Sequence, residues 1–337
     1  MPNTYEDSNN EELLDEEPRN VIISMISQLG TNKDLTRVTL PAFVLENRSF
    51  IERITDLMTY PQILLENECT LENGSKFQFI SEQISHHPPV TAFANYCPDE
   101  EIYLRGEFRP KAKFLGNTIG IYLIGNTEIF FKKHDECYDV TNPNMFTRGL
   151  FFGKMVLEMG DKATITCKKT DLVFKVEFKT KGLFGGQYNE VTGKIKRLST
   201  DETLYEVSGN WKLIMNIKKK KPSESKVLFD PSAEKRITFK VPSINDQEEN
   251  ESRRKWRYVT EALNKKDVYK ANEEKTIVEE AQRASIKAMK SANTVWKPRF
   301  FKTDGGVHVP KLDFSSLSGD KADRDSQVRD FIFPKFS

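Results

Sequence analysis

Two of the chain's four histidines stand side by side, His86 and His87, directly before Pro88 and Pro89. Proline fixes φ and removes an N–H donor, so two of them make this segment extended and shaped, not helical. A protonated imidazole offers two N–H donors, so a pair presented on a rigid stretch suits an anion, and phosphate is the natural ligand. A structural role, capping a strand or bonding a carbonyl, fits the same two residues. Ser85 beside His86 reads poorly as nucleophile and base. Neighbours on an extended strand point to opposite faces, and no G-x-S-x-G elbow surrounds the serine.

The elements that must hold this segment are mostly strands. From about residue 77 to 239 the apolar period is two, clearest where Phe174, Val176 and Phe178 alternate with Lys175, Glu177 and Lys179. Similar runs cover residues 102–108, 149–158, 163–167, 189–195 and 204–208, and Gly160-Asp161, Thr170-Asp171 and Gly185-Gly186 are turn signals between them. Many short strands without intervening helices predict a large antiparallel sheet or barrel. Beyond Pro242 the chain turns polar, and residues 251–290 carry the alternating charges of solvent-facing helices. Trp256, Val259, Leu263, Ile277 and Val278 are expected to anchor those helices, and Trp296, Phe300, Phe301, Phe331, Ile332 and Phe333 to dock the C-terminal stretch. Near the other end, Val21, Ile22, Ile23, Met25, Ile26 and Leu29 form a stretch that is apolar on nearly every side of a helix and closed by Gly30, and it must be covered by something.

The chain has 337 residues, with 51 Lys and Arg against 50 Asp and Glu, so net charge singles out no class of partner and calls for no nucleic acid. Hydrophobic content of 37% with 23 Phe and 10 Tyr supplies a sizeable core and excludes wholesale disorder. Charge is nonetheless uneven. Residues 1–18 hold seven acids and no Lys or Arg, which marks an acidic, disordered tail and leaves +8 on the rest. No apolar run reaches the ~18 residues of a membrane span, and the start lacks the basic and apolar pattern of a signal peptide, so a soluble, cytoplasmic protein is expected. Cys69, Cys97, Cys137 and Cys167 are scattered without a C-x-x-C pair, which predicts reduced structural thiols and no metal site. The tetrabasic run from Lys218 to Lys221 reads as a polar loop that could face an anionic membrane.

The segment Glu82-Gln83-Ile84-Ser85-His86-His87-Pro88-Pro89 resembles the E-Q-x-S-H-H-P-P fingerprint of the oxysterol-binding protein (OSBP)-related lipid-transfer proteins. Asp34-Leu-Thr-Arg-Val-Thr-Leu-Pro-Ala-Phe43, Phe184-Gly-Gly with Asn189, Val191 and Gly193, Trp256, and Trp296-x-Pro298-x-x-Phe301 agree with it, so the resemblance covers about residues 20–305. It implies a mainly β fold with α elements: a large antiparallel, nearly closed β-barrel around a lipid tunnel, with an N-terminal lid and a C-terminal helical subdomain. The corresponding divisions are a tail over 1–18, lid and linker over 19–48, barrel over 49–241 and helical subdomain over 242–337.

The resemblance also implies function. Family members exchange phosphatidylinositol 4-phosphate for a sterol or phosphatidylserine between membranes, as cargo and without catalysis or a cofactor. Residues 29–48 look more like the phosphatidylserine-handling branches. On this basis His86 and His87, with Lys275, Arg283 and Glu279, match the phosphoinositide head-group site. On a helix Lys275, Glu279 and Arg283 share one face, where the acid can orient both cations. Ile22, Ile23, Met25, Ile26 and Leu29 become the lid over bound lipid. An anionic membrane surface is the expected partner; the tail around Tyr5 distantly resembles a motif that binds endoplasmic-reticulum adaptor proteins at contact sites, but it lacks that motif's acidic first position and full aromatic pair, so an inert acidic tail is the preferred reading. A lipid-dependent sensor or scaffold that binds without transferring is the alternative. The chain departs from the pattern in one place: the K-P-x-N-P-x-x-G-E motif, expected between lid and histidine pair, is missing near residues 66–69. The family's lysine there helps hold the phosphate, and its flanking helices and strand help build the barrel wall.

Overall fold

The computed structural model describes residues 48–64, 77–153, 156–182, 185–237 and 239–333. The acidic tail, the lid residues Ile22, Ile23, Met25, Ile26 and Leu29, and the stretch where the missing motif was expected lie outside these residues. A short helix α1 (Phe50–Arg53) opens the described chain. Its Ser49 cap accepts from the Glu52 amide while the Glu52 carboxylate accepts from the Ser49 amide, a reciprocal cap that satisfies two otherwise orphaned donors.

Thirteen strands then form one antiparallel sheet. They are β1 (Gln78–His86), β2 (Pro89–Cys97), β3 (Ile102–Phe114), β4 (Thr118–Ile124), β5 (Asn126–Phe131), β6 (Glu136–Thr141), β7 (Asn144–Arg148), β8 (Val156–Cys167), β9 (Leu172–Lys179), β10 (Glu190–Arg197), β11 (Thr203–Asn210), β12 (Met215–Lys219) and β13 (Glu224–Phe229). The two longest each divide their length between partners. β3 pairs β5 through residues 102–106 and β4 through 109–114, while β8 pairs β7 through 156–160 and β6 at Ile165 and Thr166. Hydrogen bonding therefore runs from β3 through β4, β7, β8, β6 and β5 back to β3, a closed ring, and β9 to β13 continue from it as a meander.

Three sequence expectations change here. Gly160-Asp161 is no turn between strands but a bend within β8, with Asp161 at φ 68°, where the strand passes from one partner to the next. The expected run over 149–158 divides at this margin: Gly149 to Gly153 form the turn between β7 and β8. Lys218 and Lys219 belong to β12 and are not loop residues, and Lys220 pairs with Glu206 at 3.0 Å.

Strand β2 is buried along almost its whole length, and its period of two serves two cores. Ala92, Ala94 and Tyr96 pack with Phe301, Phe314, Leu317, Val328 and Ile332. On the other face Phe93 packs with Ile54, Met58, Leu104 and Phe108, its ring stacked on Phe108 at 4.9 Å. The C-terminal partners come from the hairpin β14 (Phe301–Asp304) and β15 (Val307–Pro310), from the 3-10 turn Phe314–Ser316 with Leu317 behind it, and from the terminal helix, so the expected helical subdomain also contains a small sheet. The hairpin is pinned to β3, because the Glu107 carboxylate accepts from the His308 amide and from Arg109.

Before it lie helices α2 (Ser252–Lys255), α3 (Arg257–Asn264) and α4 (Val268–Ser291), and after it α5 (Lys321–Ile332). Of the expected anchors, Val259, Phe301 and Ile332 are buried, Leu263 packs on the Ala262 and Ala271 contact between α3 and α4, and Phe300 meets Phe331 edge to face. Ile277, Trp296 and Phe333 are more than half exposed and do not dock. Cys97 and Cys167 are buried and free, as is the half-buried Cys137, and burial pushes the Cys97 thiol up to about 12 and that of Cys137 to about 11, which keeps them protonated.

Gly106 is required by this packing. A Cβ there would lie 2.7 Å from both the Asn126 carbonyl oxygen and the Phe93 ring. Gly106→Ala should therefore lower unfolding free energy by about 1–3 kcal/mol, the usual range for overpacking. Urea unfolding measures this, and an unchanged midpoint would show that the Phe93 layer is looser than its geometry.

Candidate functional site

β1 and β2 are joined by the histidine turn, with His86 in register with Pro89 and a cis peptide between His87 and Pro88. Two residues of the same segment build the turn without facing a ligand. Gln83 accepts from the Thr91 hydroxyl at 2.8 Å and donates to the Ser85 carbonyl at 2.7 Å, bracing the irregularity between Gln83 and Ser85. Glu82 accepts from the backbone amides of Arg299 and Phe300 at 2.7 and 2.9 Å, tying β1 to the chain that follows α4. The partners of Glu82 are 217 and 218 residues away, beyond anything that spacing along the chain reveals.

The two imidazole rings are exposed, with centroids 4.1 Å apart and planes tilted by 52°. Partial burial and the neighbouring His87 hold His86 below the ordinary histidine value of 6.5; Glu279 acts in the opposite direction, and Arg283 and Lys275 add to the lowering. The charges acting on His86 thus include all three residues of the α4 face, which sits beside the turn.

Helix α4 begins where Asp267 accepts from the Lys270 amide and ends at Ser291, shortly before Asn293, whose φ of 51° is the left-handed conformation common past a helix C-terminus. Only Ala271 and Lys275 of this helix are buried. Lys275 pairs with one carboxylate oxygen of Glu279, and Arg283 with the other at 3.4 Å. Side-chain exposure grades along the face from 9% at Lys275 through 22% at Glu279 to 62% at Arg283. One acid therefore neutralises a buried cation and leans an exposed one toward the histidines. Around one turn this gathers two permanent cations, one carboxylate and two titratable imidazoles, so the charge of the locality rises on protonation. That arrangement can bind and orient an oxyanion.

Two further features lie away from the turn. Glu128, Cys137 and Asp139 bring ligand-type atoms within 4.8 Å of one another, but Arg105 already bonds Glu128 at 2.6 Å, and the raised Cys137 thiol disfavours the thiolate a metal would need. Asn95 and Thr127 lie on the Phe93 face of β2 and its neighbours, with polar side-chain atoms that are buried and unpartnered among the described residues. Sequence reasoning missed both, since an Asn in an alternating strand reads as its wet face.

Two predictions follow from the charges. Removing Glu279 strands a buried lysine, so Glu279→Ala should destabilise by about 3 kcal/mol, whereas Arg283→Ala, on a mostly exposed group, should change stability by less than about 1 kcal/mol. Equal losses in urea titrations would contradict the graded burial. For His86 the folded value lies below the unfolded 6.5, so the unfolded chain takes up the proton first. Its contribution to stability is constant above pH 6.5 and falls between 6.5 and the lower folded value. His86→Gln should lessen the loss of stability on acidification through that window, and parallel curves for variant and wild type would sink the assignment.

The comparisons agree with this architecture. The sequence model of the family described as Oxysterol-binding protein matches residues 66–324. The oxysterol-binding protein homolog C23B6.01c of Schizosaccharomyces pombe is 34% identical over 355 aligned residues, which cover 90% of this chain and 74% of that protein. Because 90% of 337 residues is about 303, some fifty positions of that alignment face no residue here. Among solved structures, the Osh1 ORD domain in complex with cholesterol superposes with a TM-score of 0.69 at 18% identity, covering 95% of this chain and 93% of that one. The Osh3 ORD of Saccharomyces cerevisiae in complex with PI(4)P gives a TM-score of 0.67 at 17% identity, covering 95% and 94%. With its histidine turn, its ring of antiparallel strands and a match over most of its length, the chain belongs to the oxysterol-binding protein family.

Proposed function

We propose that this protein binds phosphatidylinositol 4-phosphate through the histidine turn and α4, and exchanges it for phosphatidylserine or a sterol between membranes. The observation that carries the reading is the juxtaposition of His86 and His87 with Lys275, Glu279 and Arg283. A phosphate monoester carries close to two negative charges near neutrality and accepts several hydrogen bonds. Lys275 and Arg283 would meet it as fixed cations, with Glu279 holding their geometry, and the imidazoles would donate from the opposite side. Binding would favour protonation of His86, whose proton uptake is suppressed in the free protein.

The acyl chains would occupy the interior of the strand ring, covered by the apolar residues 21–29. A sterol or phosphatidylserine would compete for that space, and mutual exclusion makes an exchanger. No bond is made or broken. Net direction comes from unequal supply on the two membranes, since a carrier shifts populations only through differential affinity. That solved structures of this fold hold cholesterol or ergosterol in one case and PI(4)P in another supports unlike lipids as cargo. Lacking the K-P-x-N-P lysine, the site here has one cation fewer than the family pattern, so the four basic groups named carry the phosphate alone. The reading places the protein in the cytoplasm, peripheral on membranes, at endoplasmic-reticulum contact sites. No described helix is long and apolar enough to cross a membrane.

The test is extraction of phosphatidylinositol 4-phosphate from liposomes by purified protein, with sterol and phosphatidylserine as competitors. Wild type should extract it stoichiometrically, and His86→Ala/His87→Ala should abolish extraction. Arg283→Ala should weaken it about tenfold, the loss of one charge-assisted hydrogen bond. The competitor that displaces the phosphoinositide names the second cargo. No extraction by folded wild-type protein would overturn exchange and leave the sensor or scaffold reading.

A further inference from the structure

The turns of the large sheet divide between its two margins by chemistry. Besides the histidine turn, one margin carries the turns between β3 and β4, β7 and β8, β9 and β10, and β11 and β12. The pairings Thr91 with Phe108, Thr118 with Arg148, Arg148 with Val156, Asp161 with Phe178, Glu190 with Lys179, and Glu190 with Asn210 align these turns on the side of His86. There Phe152 is 80% exposed, Leu213 54%, Ile214 44% and Leu115 39%. The opposite margin consists of turns at residues 98–101, 132–135, 168–171, 198–202 and 220–223. Among the described residues Leu198 is its one exposed large apolar side chain, and it is dominated by charged pairs such as Lys133 with Glu100 and Lys169 with Asp135.

The apolar side chains on the histidine margin are held outward by built turns. Asn117 accepts from the amides of Phe151 and Phe152 at 2.6 and 3.0 Å and donates to the Phe152 carbonyl at 3.0 Å. Across the sheet, the Asn210 amide donates to the Ile214 carbonyl at 2.9 Å, and the Asn210 carboxamide oxygen accepts from the Lys212 amide at 2.9 Å, closing the turn that presents Leu213 and Ile214. A braced turn that keeps a phenylalanine in water forgoes burial that a limp one would find, and such apolar surface marks a contact site.

Charge selects the occupant. Counting the last two residues of each flanking strand, the described residues of these four turns include the cations Lys113, Arg148, Lys179, Lys181 and Lys212 against the single acid Glu190. Arg148 is held by Glu158 and Lys179 by Glu190, while Lys113, Lys181 and Lys212 lie over the rings of Tyr122, Tyr188 and Trp211 at 5.6, 4.2 and 5.4 Å. Apolar tips among lysines and amphipathic rings fit a bilayer interface with anionic head groups. We infer that this margin docks on an anionic phospholipid bilayer, with Phe152, Leu213 and Ile214 entering the interface. The inference rests on the proposed function in that docking here turns the histidines toward the membrane. The tetrabasic run around Lys220 lies at the other margin and takes no part.

The test is flotation with phosphatidylcholine vesicles, with and without phosphatidylserine and free of phosphoinositide, so that cargo capture plays no role. Wild type should bind the phosphatidylserine vesicles, and Phe152→Ala/Leu213→Ala/Ile214→Ala should bind about tenfold or more weakly, as expected from lost apolar insertion. That variant should keep its unfolding midpoint, because the removed side chains are exposed. Lys220→Ala/Lys221→Ala should bind like wild type. Wild type failing to bind, the triple variant binding normally, or the lysine variant losing as much would each overturn the inference. Vesicle binding retained by a protein that extracts no lipid would remove the exchange reading and leave this surface standing.

Discussion

The carboxylate of Glu82 accepts two backbone amides from Arg299 and Phe300, and much of the site's geometry depends on that capture. It joins the strand that carries the histidines to the chain leaving the cation-bearing helix, across more than two hundred residues. Backbone amides outside regular pairing need acceptors of their own. One carboxylate that holds two consecutive amides ties β1 to the stretch between α4 and β14. Strand β2 does the complementary work, giving alternate side chains to the N-terminal and C-terminal cores and so pressing both against the turn between them.

The head-group candidate is a graded electrostatic object. Lys275 is nearly buried, Arg283 nearly free, and Glu279 is shared between them. A buried cation with one acid is preorganised and has little hydration left to lose when an anion arrives. An exposed arginine on the same acid adds reach. His86 adds a charge that a nearby anion would favour, against the burial and the neighbouring His87 that hold its value below the ordinary one.

How much of this could be read from the sequence differs by element. The strands were legible because Phe174, Val176 and Phe178 leave one face wet, and period two admits no other regular element. Gly160-Asp161 misled, because a glycine and a left-handed aspartate serve a bend inside a strand as readily as a turn between strands, and only the change of partner along β8 distinguishes them. The histidines and the α4 triad were nameable from the fingerprint and helical spacing, and their meeting was a family expectation that the geometry of α4 and the turn matches. The role of Glu82 was not legible, since its partners lie more than two hundred residues away, and that of Gln83 depends on an irregularity in β1 that the alternation does not announce. Ile277 and Trp296 were misjudged as anchors because hydrophobicity alone does not say whether a surface is waiting for them.

Helix α4 buries only Ala271 and Lys275, both in its first half. Its distal half, with Arg283, buries no side chain, and Gln282, Ile286 and Met289 there are only partly covered. Local stability therefore declines along the helix, as in segments that open without unfolding the whole domain. The half of the helix nearest the solvent is therefore expected to open before the half that holds Lys275. A bulky ligand at the proposed site would thus meet one fixed jaw and one loose one, without disturbing the sheet behind them.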